Sequence, residues 1–308
     1  MRRLVTLGAV LVALLAVWGI QRLQHGRVVA SAPAQTLALA ADRVTKLRIA
    51  KHGETPVEIE RVAGAWRITK PGDYRASDTV VSGALQAIDS LALVDVVSNN
   101  PANRSKFQVD SMGTRVQVEE GGKNVLDLIV GKSSPDFSHT YVRREGADDV
   151  YRADGILTYQ FNKRLDDWRD KAILELDQAD IVRLLLDYPK EKTQVALAKR
   201  DTVWTVAAAG SAPEAADSLA MAQVLRGASK LSTVSFVGPE EAAKVDFTKP
   251  DFRLQVDTDS GSHTIVFVEA EGGKMYAQKS GEPQIYQMYK TSLAHLMKKA
   301  DDLRHKKV

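Results

Sequence analysis

The segment Asp42-Arg43-Val44-Thr45-Lys46-Leu47-Arg48-Ile49 decides the fold, because it returns about 138 residues later as Asp180-Ile181-Val182-Arg183-Leu184-Leu185-Leu186. Val44, Leu47 and Ile49 in the first copy, and Ile181, Leu184 and Leu186 in the second, read as strands that bury one face. A repeat on this scale implies a structural unit built twice. The residues after each copy match as well. Val57-Glu58-Ile59-Glu60-Arg61 turns into Gly64-Ala65-Trp66-Arg67-Ile68, and Gln194-Val195-Ala196-Leu197-Ala198 turns into Asp201-Thr202-Val203-Trp204-Thr205-Val206. Alternation around a short turn is the pattern of a hairpin.

A helix is predicted next in both halves, capped by Ser77 or Asp78 in the first and by Asp217 or Ser218 in the second. Val81, Ala84, Leu85, Ile88 and Leu91 share one face, and Leu225, Ala228 and Leu231 form the comparable one. Each helix leads into an apolar strand, Leu93 to Val97 and Val234 to Val237. A loop with Phe107 and Asp110 is matched by Val245, Asp246 and Phe247. Further strands come after it: Thr114 to Val118, Val125 to Val130, His139 to Arg143 and Val150 to Arg152 in the first half. The second half has Phe252 to Val256, Thr264 to Val268, Met275 to Gln278 and Gln284 to Gln287. Tyr141 matches Tyr276, and Tyr151 matches Tyr286. Gly121-Gly122 and Gly272-Gly273 fall at connecting turns. Helices over Ile156 to Trp168 and Thr291 to Leu303 close the halves, with Asp166-Asp167-Trp168-Arg169 against Asp301-Asp302-Leu303-Arg304.

The reading is an α+β fold: one N-terminal transmembrane helix plus two tandem, structurally repeated modules of antiparallel strands with packed helices. The modules occupy residues 41–172 and 173–308. No Pro/Gly-rich linker separates them near Lys171 to Asp180, which predicts modules that pack together.

Arg2 and Arg3 precede an uninterrupted apolar run from Leu4 to Ile20. With Gln21 to Leu23 it rises about 30 Å as a helix, enough for a hydrocarbon core. Residues 1–23 are therefore read as a signal-anchor helix in contact with the lipid bilayer through residues 4–23, and residues 24–40 as a tether. Trp18 suits the outer interface. Ala30-Ser31-Ala32 has the residue types of a cleavage site, but lies beyond Arg22 and Arg27 and is followed by Pro33. The expected placement is the bacterial inner membrane, single-pass, with the N-terminus cytoplasmic and the body periplasmic.

Composition narrows the chemistry. The 308 residues are 44% hydrophobic and 26% charged, normal for globular modules. A net charge of +3 from 42 basic and 39 acidic residues is no nucleic-acid signature, and no nucleic-acid partner is expected. Part of the excess lies at the ends, in Arg2, Arg3, Arg22 and Arg27 and in Lys298, Lys299, Arg304, Lys306 and Lys307. Without cysteine the chain has no disulfide, thiolate nucleophile, cysteine-ligated metal or lipoprotein anchor.

The succession Trp66, Ala76-Ser77-Asp78, Phe107-Gln108-Val109-Asp110, Val130-Gly131-Lys132, Tyr141-Val142, Val150-Tyr151 and Trp168-Arg169-Asp170-Lys171 resembles the domain-of-unknown-function 4340 family of bacterial envelope proteins. There a tryptophan strand precedes a capped helix, a "YGLD"-like element, a glycine-ended strand, a tyrosine strand and an "RDK"-like close. Phe107-Gln108-Val109-Asp110 departs from the usual tyrosine, glycine and leucine. The resemblance implies an accessory role in a membrane complex, beside an ABC transporter of the gliding-motility type. It transfers no catalytic residue.

Gly131-Lys132-Ser133 looks like the end of a phosphate-binding loop, but Leu126 stands where that pattern needs glycine, and Pro135 comes next instead of a helix. His25, His52, His139, His263, His295 and His305 show no metal-ligand spacing. His139 lies near Ser133, Ser134 and Asp136, which read as turn residues around Pro135. Neither Ser82-Gly83 nor Gly261-Ser262 forms a nucleophile elbow. Asp148-Asp149, Asp166-Asp167 and Asp301-Asp302 are adjacent pairs, poorly placed to act on one substrate. Trp66 and Trp204 read as core; Phe137, Tyr188 and Tyr289 are read as surface anchors for a partner. No catalytic, cofactor-binding or metal residue is assigned, no cofactor is expected, and the chain is expected not to be an enzyme. The expected function is that of a non-catalytic periplasmic accessory or scaffold subunit bound to integral membrane proteins of a larger complex. The alternatives are a glycan- or peptide-binding module with its cleft between the modules, and an envelope hydrolase.

Overall fold

The computed structural model describes residues 35–36 and 39–305, and the chain divides into two compact units between Asp170 and Lys171. The expected membrane helix over residues 1–23 lies outside the described residues, as do most of residues 24–40. Among the described residues no helix is long and apolar enough to cross a membrane.

The first unit runs β1 (Gln35–Thr36), β2 (Val44–Ala50), β3 (Val57–Val62), β4 (Ala65–Lys70), β5 (Tyr74–Arg75), α1 (Asp78–Asp89), β6 (Ala92–Ser98), α2 (Arg104–Phe107), β7 (Thr114–Glu120), β8 (Lys123–Ser133), β9 (His139–Arg144), β10 (Val150–Asp154), α3 (Leu157–Phe161) and α4 (Leu165–Trp168). Its strands form one antiparallel sheet in the order β1-β6-β10-β9-β8-β7-β2-β3-β4-β5. The second runs β11 (Ala172–Glu175), β12 (Ile181–Tyr188), β13 (Thr193–Arg200), β14 (Val203–Ala208), β15 (Glu214–Ala215), α5 (Ser218–Ser229), β16 (Lys230–Ser232), β17 (Ser235–Phe236), α6 (Pro239–Ala242), β18 (Phe252–Thr258), β19 (Gly261–Ala270), β20 (Lys274–Lys279), β21 (Ile285–Tyr289) and α7 (Ala300–Leu303). Its main sheet has the order β17-β21-β20-β19-β18-β12-β13-β14-β15, the same sequence of positions as in the first from β6 to β5.

Local detail keeps the same parallel. The apolar spacing Val44, Leu47, Ile49 breaks strict alternation, and so does Ile181, Leu184, Leu186. In both strands a shift in register takes up the extra residue, between Val44 and Lys46 against β7 and between Ile181 and Arg183 against β18. All six side chains are buried.

The helices lie on the inner face of each sheet. Ser77 caps α1 by accepting from the Val80 N–H at 3.4 Å, and Val81, Ala84, Leu85 and Ile88 are buried. Asp217 caps α5 by accepting from Leu219 and Ala220 at 3.1 and 2.9 Å. Its buried face is Met221, Val224, Gly227 and Ala228; of the expected Leu225, Ala228 and Leu231, Ala228 is on that face, Leu225 is only half-buried, and Leu231 is buried but beyond the helix. The helix ends at Ser229 because Lys230–Ser232 pairs with β11, which puts Leu231 on a strand.

Three further expectations are corrected. The tether does not extend to residue 40: Gln35–Thr36 pairs with β6, and Leu39 is buried with its N–H on the Asp89 carboxylate at 2.9 Å. The break between modules falls two residues before 172/173, because β11 belongs to the second unit. The closing segments are not continuous helices. Asn162 leaves helical geometry, so α3 and α4 are separate turns, and in the second unit a 3₁₀ turn at Lys290–Leu293 precedes α7. Each close returns to a helix cap: the Ser77 N–H donates to the Trp168 carbonyl and the Asp217 N–H to that of Leu303, both at 2.8 Å.

Candidate functional site

On the outer face of the first sheet, the segment from α2 to Asp110 packs over Ile129 and Val150 through Val109 and Phe107, with the Phe107 ring 4.7 Å from Tyr141. Gly131 makes this approach possible. A Cβ there would lie 2.2 Å from the Phe107 carbonyl oxygen and 2.7 Å from Val109 Cγ1. Arg143 is buried beneath the same segment and donates to the carbonyls of Val109, Arg144 and Ala147 and to Glu145. Beside it lies a cavity of about 450 Å³ whose lining includes Lys51, His52, Arg104, Arg115 and Arg143. Its cations are largely committed. Arg115 makes a two-pronged pair with Asp127, Arg104 pairs with Asp148 at 2.6 Å, and Lys51 pairs with Glu54 at 2.6 Å.

The most distinctive surface lies at the end of this sheet where β8 turns into β9. Pro135 ends the ladder and Ser134–Ser138 forms the turn. The buried Ser134 hydroxyl donates to Asp136, and the Ser138 N–H donates to the same carboxylate at 2.9 Å. These two bonds hold the Asp136 carboxyl down at about 2, below its ordinary 3.8. His139 sits between Asp136 Oδ2 at 3.0 Å and Asp154 Oδ1 at 3.1 Å. Thr140, fully buried, donates to the Gly155 carbonyl at 2.8 Å and accepts from the Leu157 N–H at 3.0 Å. The Gly155 N–H donates to the Ser138 carbonyl at 2.9 Å, and the hydroxyls of Ser133 and Thr158 meet at 3.1 Å. The two turns are thereby locked together.

The locked turns present apolar side chains to solvent. Phe137 is 75% exposed, Tyr159 77% and Ile156 47%. Phe137 also has φ of 55°, a left-handed conformation unfavourable for a bulky residue, with no burial to offset it. The Lys163 ammonium lies 4.7 Å over the Tyr159 ring and donates to the Tyr159 carbonyl at 2.9 Å; burial pulls its pKa down. A shallow depression of about 600 Å³ adjoins it, lined by Thr158, Tyr159, Asn162, Lys163 and Asp167.

The structure places the candidate residues that lie among the described ones. Gly131-Lys132-Ser133 ends strand β8, so no helix points N–H groups at a phosphate there. Ser134 is buried on a carboxylate, not on an imidazole, and has no nucleophile geometry. Ser82 lies inside α1, and Ser262 donates to Asp257 at 2.6 Å. Asp167 and Asp302 accept from the Arg164 and Lys299 N–H groups at 3.0 Å, closing the first turns of α4 and α7. Asp166 and Asp301 pair with Arg169 and Arg304. His25 lies outside the described residues, His52 meets the Ser111 carbonyl at 3.2 Å, and His295 packs on Gly227. Among the described residues no three His, Asp or Glu side chains converge as a metal site. Trp66 is buried and Trp204 half-buried against the core.

Tyr188 is not a surface anchor. It is buried against Phe252, its hydroxyl donates to the Lys298 carbonyl at 2.8 Å, and Lys299 lies over its ring. Burial pushes its phenol pKa up. Phe137 and Tyr289 are exposed as expected. Ile156 and Tyr159 do not stand out in the sequence. They sit in what reads as one long amphipathic helix, and only the Gly155 step just before Ile156 marks the turn that exposes them.

The class these observations define is a protein of two antiparallel β units, each with a capped helix packed on its sheet. The chain belongs to the domain of unknown function family DUF4340, whose profile matches residues 66–250, more than half of the sequence. No curated protein and no solved structure matches it.

Proposed function

We propose that the chain is a non-catalytic, membrane-tethered accessory subunit of a larger inner-membrane assembly. Its N-terminus is cytoplasmic, residues 4–23 cross the bilayer, and both units are periplasmic. The observation that carries this reading is the use made of the residues behind the family resemblance. Ser77 caps α1 and joins it to Trp168. Asp110 closes its own turn by accepting from Met112 at 3.1 Å. Gly131 and Tyr141 seat the α2 segment, and Val150 and Trp168 are buried. These side chains build a rigid frame instead of converging on a substrate.

We read the two units as products of a duplication, supported by their common strand order, bulge position and pinned cap. A repeated rigid frame suits contact with a partner complex, and the family resemblance points to an ABC transporter of the gliding-motility type. The test is purification of the full-length protein from native membranes in mild detergent. Integral membrane proteins are expected to co-purify. Recovery as a lone monomer would overturn the proposal.

A further inference from the structure

We infer that the Phe137–Ile156–Tyr159 tip of the first unit docks on the bilayer surface, seating the unit against the membrane that holds its tether. This rests on the tether reading above and extends it. Phe137 and Tyr159 are the two most exposed large hydrophobic side chains among the described residues. Both stand on turns fixed by buried hydroxyls, so little conformational freedom is lost when they are immersed. Aromatic rings with a lysine beside them are the chemistry of the headgroup region, where a ring has one apolar and one wet side. Lys163 over the Tyr159 ring and the exposed Arg164 supply cations. Of the carboxylates around the tip, Asp136 and Asp154 are held on His139, and Asp167 lies 3.7 Å from Arg164, so Lys163 is the cation nearest the rings.

Position selects lipid over a protein partner. The chain joins the sheet at Gln35, which pairs with Leu93 of β6; Leu93 pairs with Ala153 of β10, and Asp154 pairs with His139 of β9. From β1 to β9 is three strand spacings, about 14 Å. The residues from Gln24 to Ala34 reach at most about 40 Å when extended. A tether of this length lets the tip reach the membrane surface that anchors the chain. The tip meets a bilayer without any second protein being required.

The absence of cysteine allows single labelled positions in the full-length chain. Phe137→Cys, Val12→Cys and Leu219→Cys, each carrying an environment-sensitive fluorophore, are reconstituted in protein-free vesicles of phosphatidylethanolamine and phosphatidylglycerol containing a lipid-borne quencher. Leu219 is 72% exposed and lies in the second unit. The expected result is strong quenching at Val12, several-fold stronger quenching at Phe137 than at Leu219, and loss of the Phe137 signal when Ile156 and Tyr159 are changed to serine. Quenching at Val12 with Phe137 no different from Leu219 overturns the docking and leaves the tether intact. Protection of Phe137 in native membranes but not in these vesicles assigns the tip to a protein and also overturns it. No quenching at Val12 overturns the tether itself.

Discussion

Gly131→Ala separates a packing role for Gly131-Lys132-Ser133 from a phosphate-binding one. The new Cβ would lie 2.2 Å from the Phe107 carbonyl oxygen, 2.7 Å from Val109 Cγ1 and 3.1 Å from the Tyr141 carbonyl oxygen. Two of these neighbours are backbone, so relief requires the α2 segment to lift from the sheet. That movement strains the Arg143 bond to the Val109 carbonyl, now 2.9 Å, and loosens the buried Val109, Ile129 and Val150 contacts. Such overpacking costs about 1–3 kcal/mol. With backbone at 2.2 Å the cost lies at the upper end, about 2–3 kcal/mol, and alanine recovers about 0.4–1 kcal/mol by restricting the unfolded chain, so the net loss is roughly 1–2.6 kcal/mol. Gly83→Ala is the matched control. It lies inside α1 with nothing within 4 Å of the added Cβ, and should stabilise by about 0.5–1 kcal/mol. Urea unfolding followed by tryptophan fluorescence reads both, since Trp66 and Trp168 are buried in the first unit. The two substitutions are expected to move the midpoint in opposite directions. A neutral or stabilising Gly131→Ala would refute the packing role.

Three other outcomes are expected. Ser77→Ala should lower the stability of the first unit by about 1 kcal/mol, and Asp217→Ala should lower the melting temperature of the second unit by more, because Asp217 accepts from two N–H groups and Ser77 from one. Arg143→Met should cost roughly 2–4 kcal/mol by removing the donor from buried carbonyls, and Arg143→Lys should not restore it, because an ammonium lacks the planar fork; urea midpoints decide both. His295 has its pKa lowered from 6.5, by burial first and by Lys298 second. Its neutral form is the folded one, so this contribution is complete above pH 6.5 and is lost as pH falls through the lowered folded value. A pH series of melts should show that loss in the wild type and not in His295→Phe.

Much of the frame is legible in the sequence because its signals are local. Alternation around Trp66 and Trp204 marks hairpins, and Ser77 and Asp217 mark helix starts, each through the chemistry of neighbouring residues. Boundaries set by tertiary pairing are not legible. Leu231 keeps helical spacing with Ala228 but is claimed by β11, and Leu39 is drawn into the first core though its neighbours read as a tether. The tip is half-visible. Phe137 stands out as an aromatic among turn residues, whereas Ile156 and Tyr159 are hidden in a segment whose break depends on Asn162 leaving helical geometry. Tyr188 reads as a surface residue because its burial by Phe252 and Lys298 is a contact between distant positions.

Native mass spectrometry of the protein released from its own membranes in mild detergent bears most directly on the proposed role. A particle is predicted in which the chain keeps residues 1–23 and is bound to integral membrane subunits. A free chain, or one shortened to begin near Pro33 and recovered without membrane partners, would contradict it.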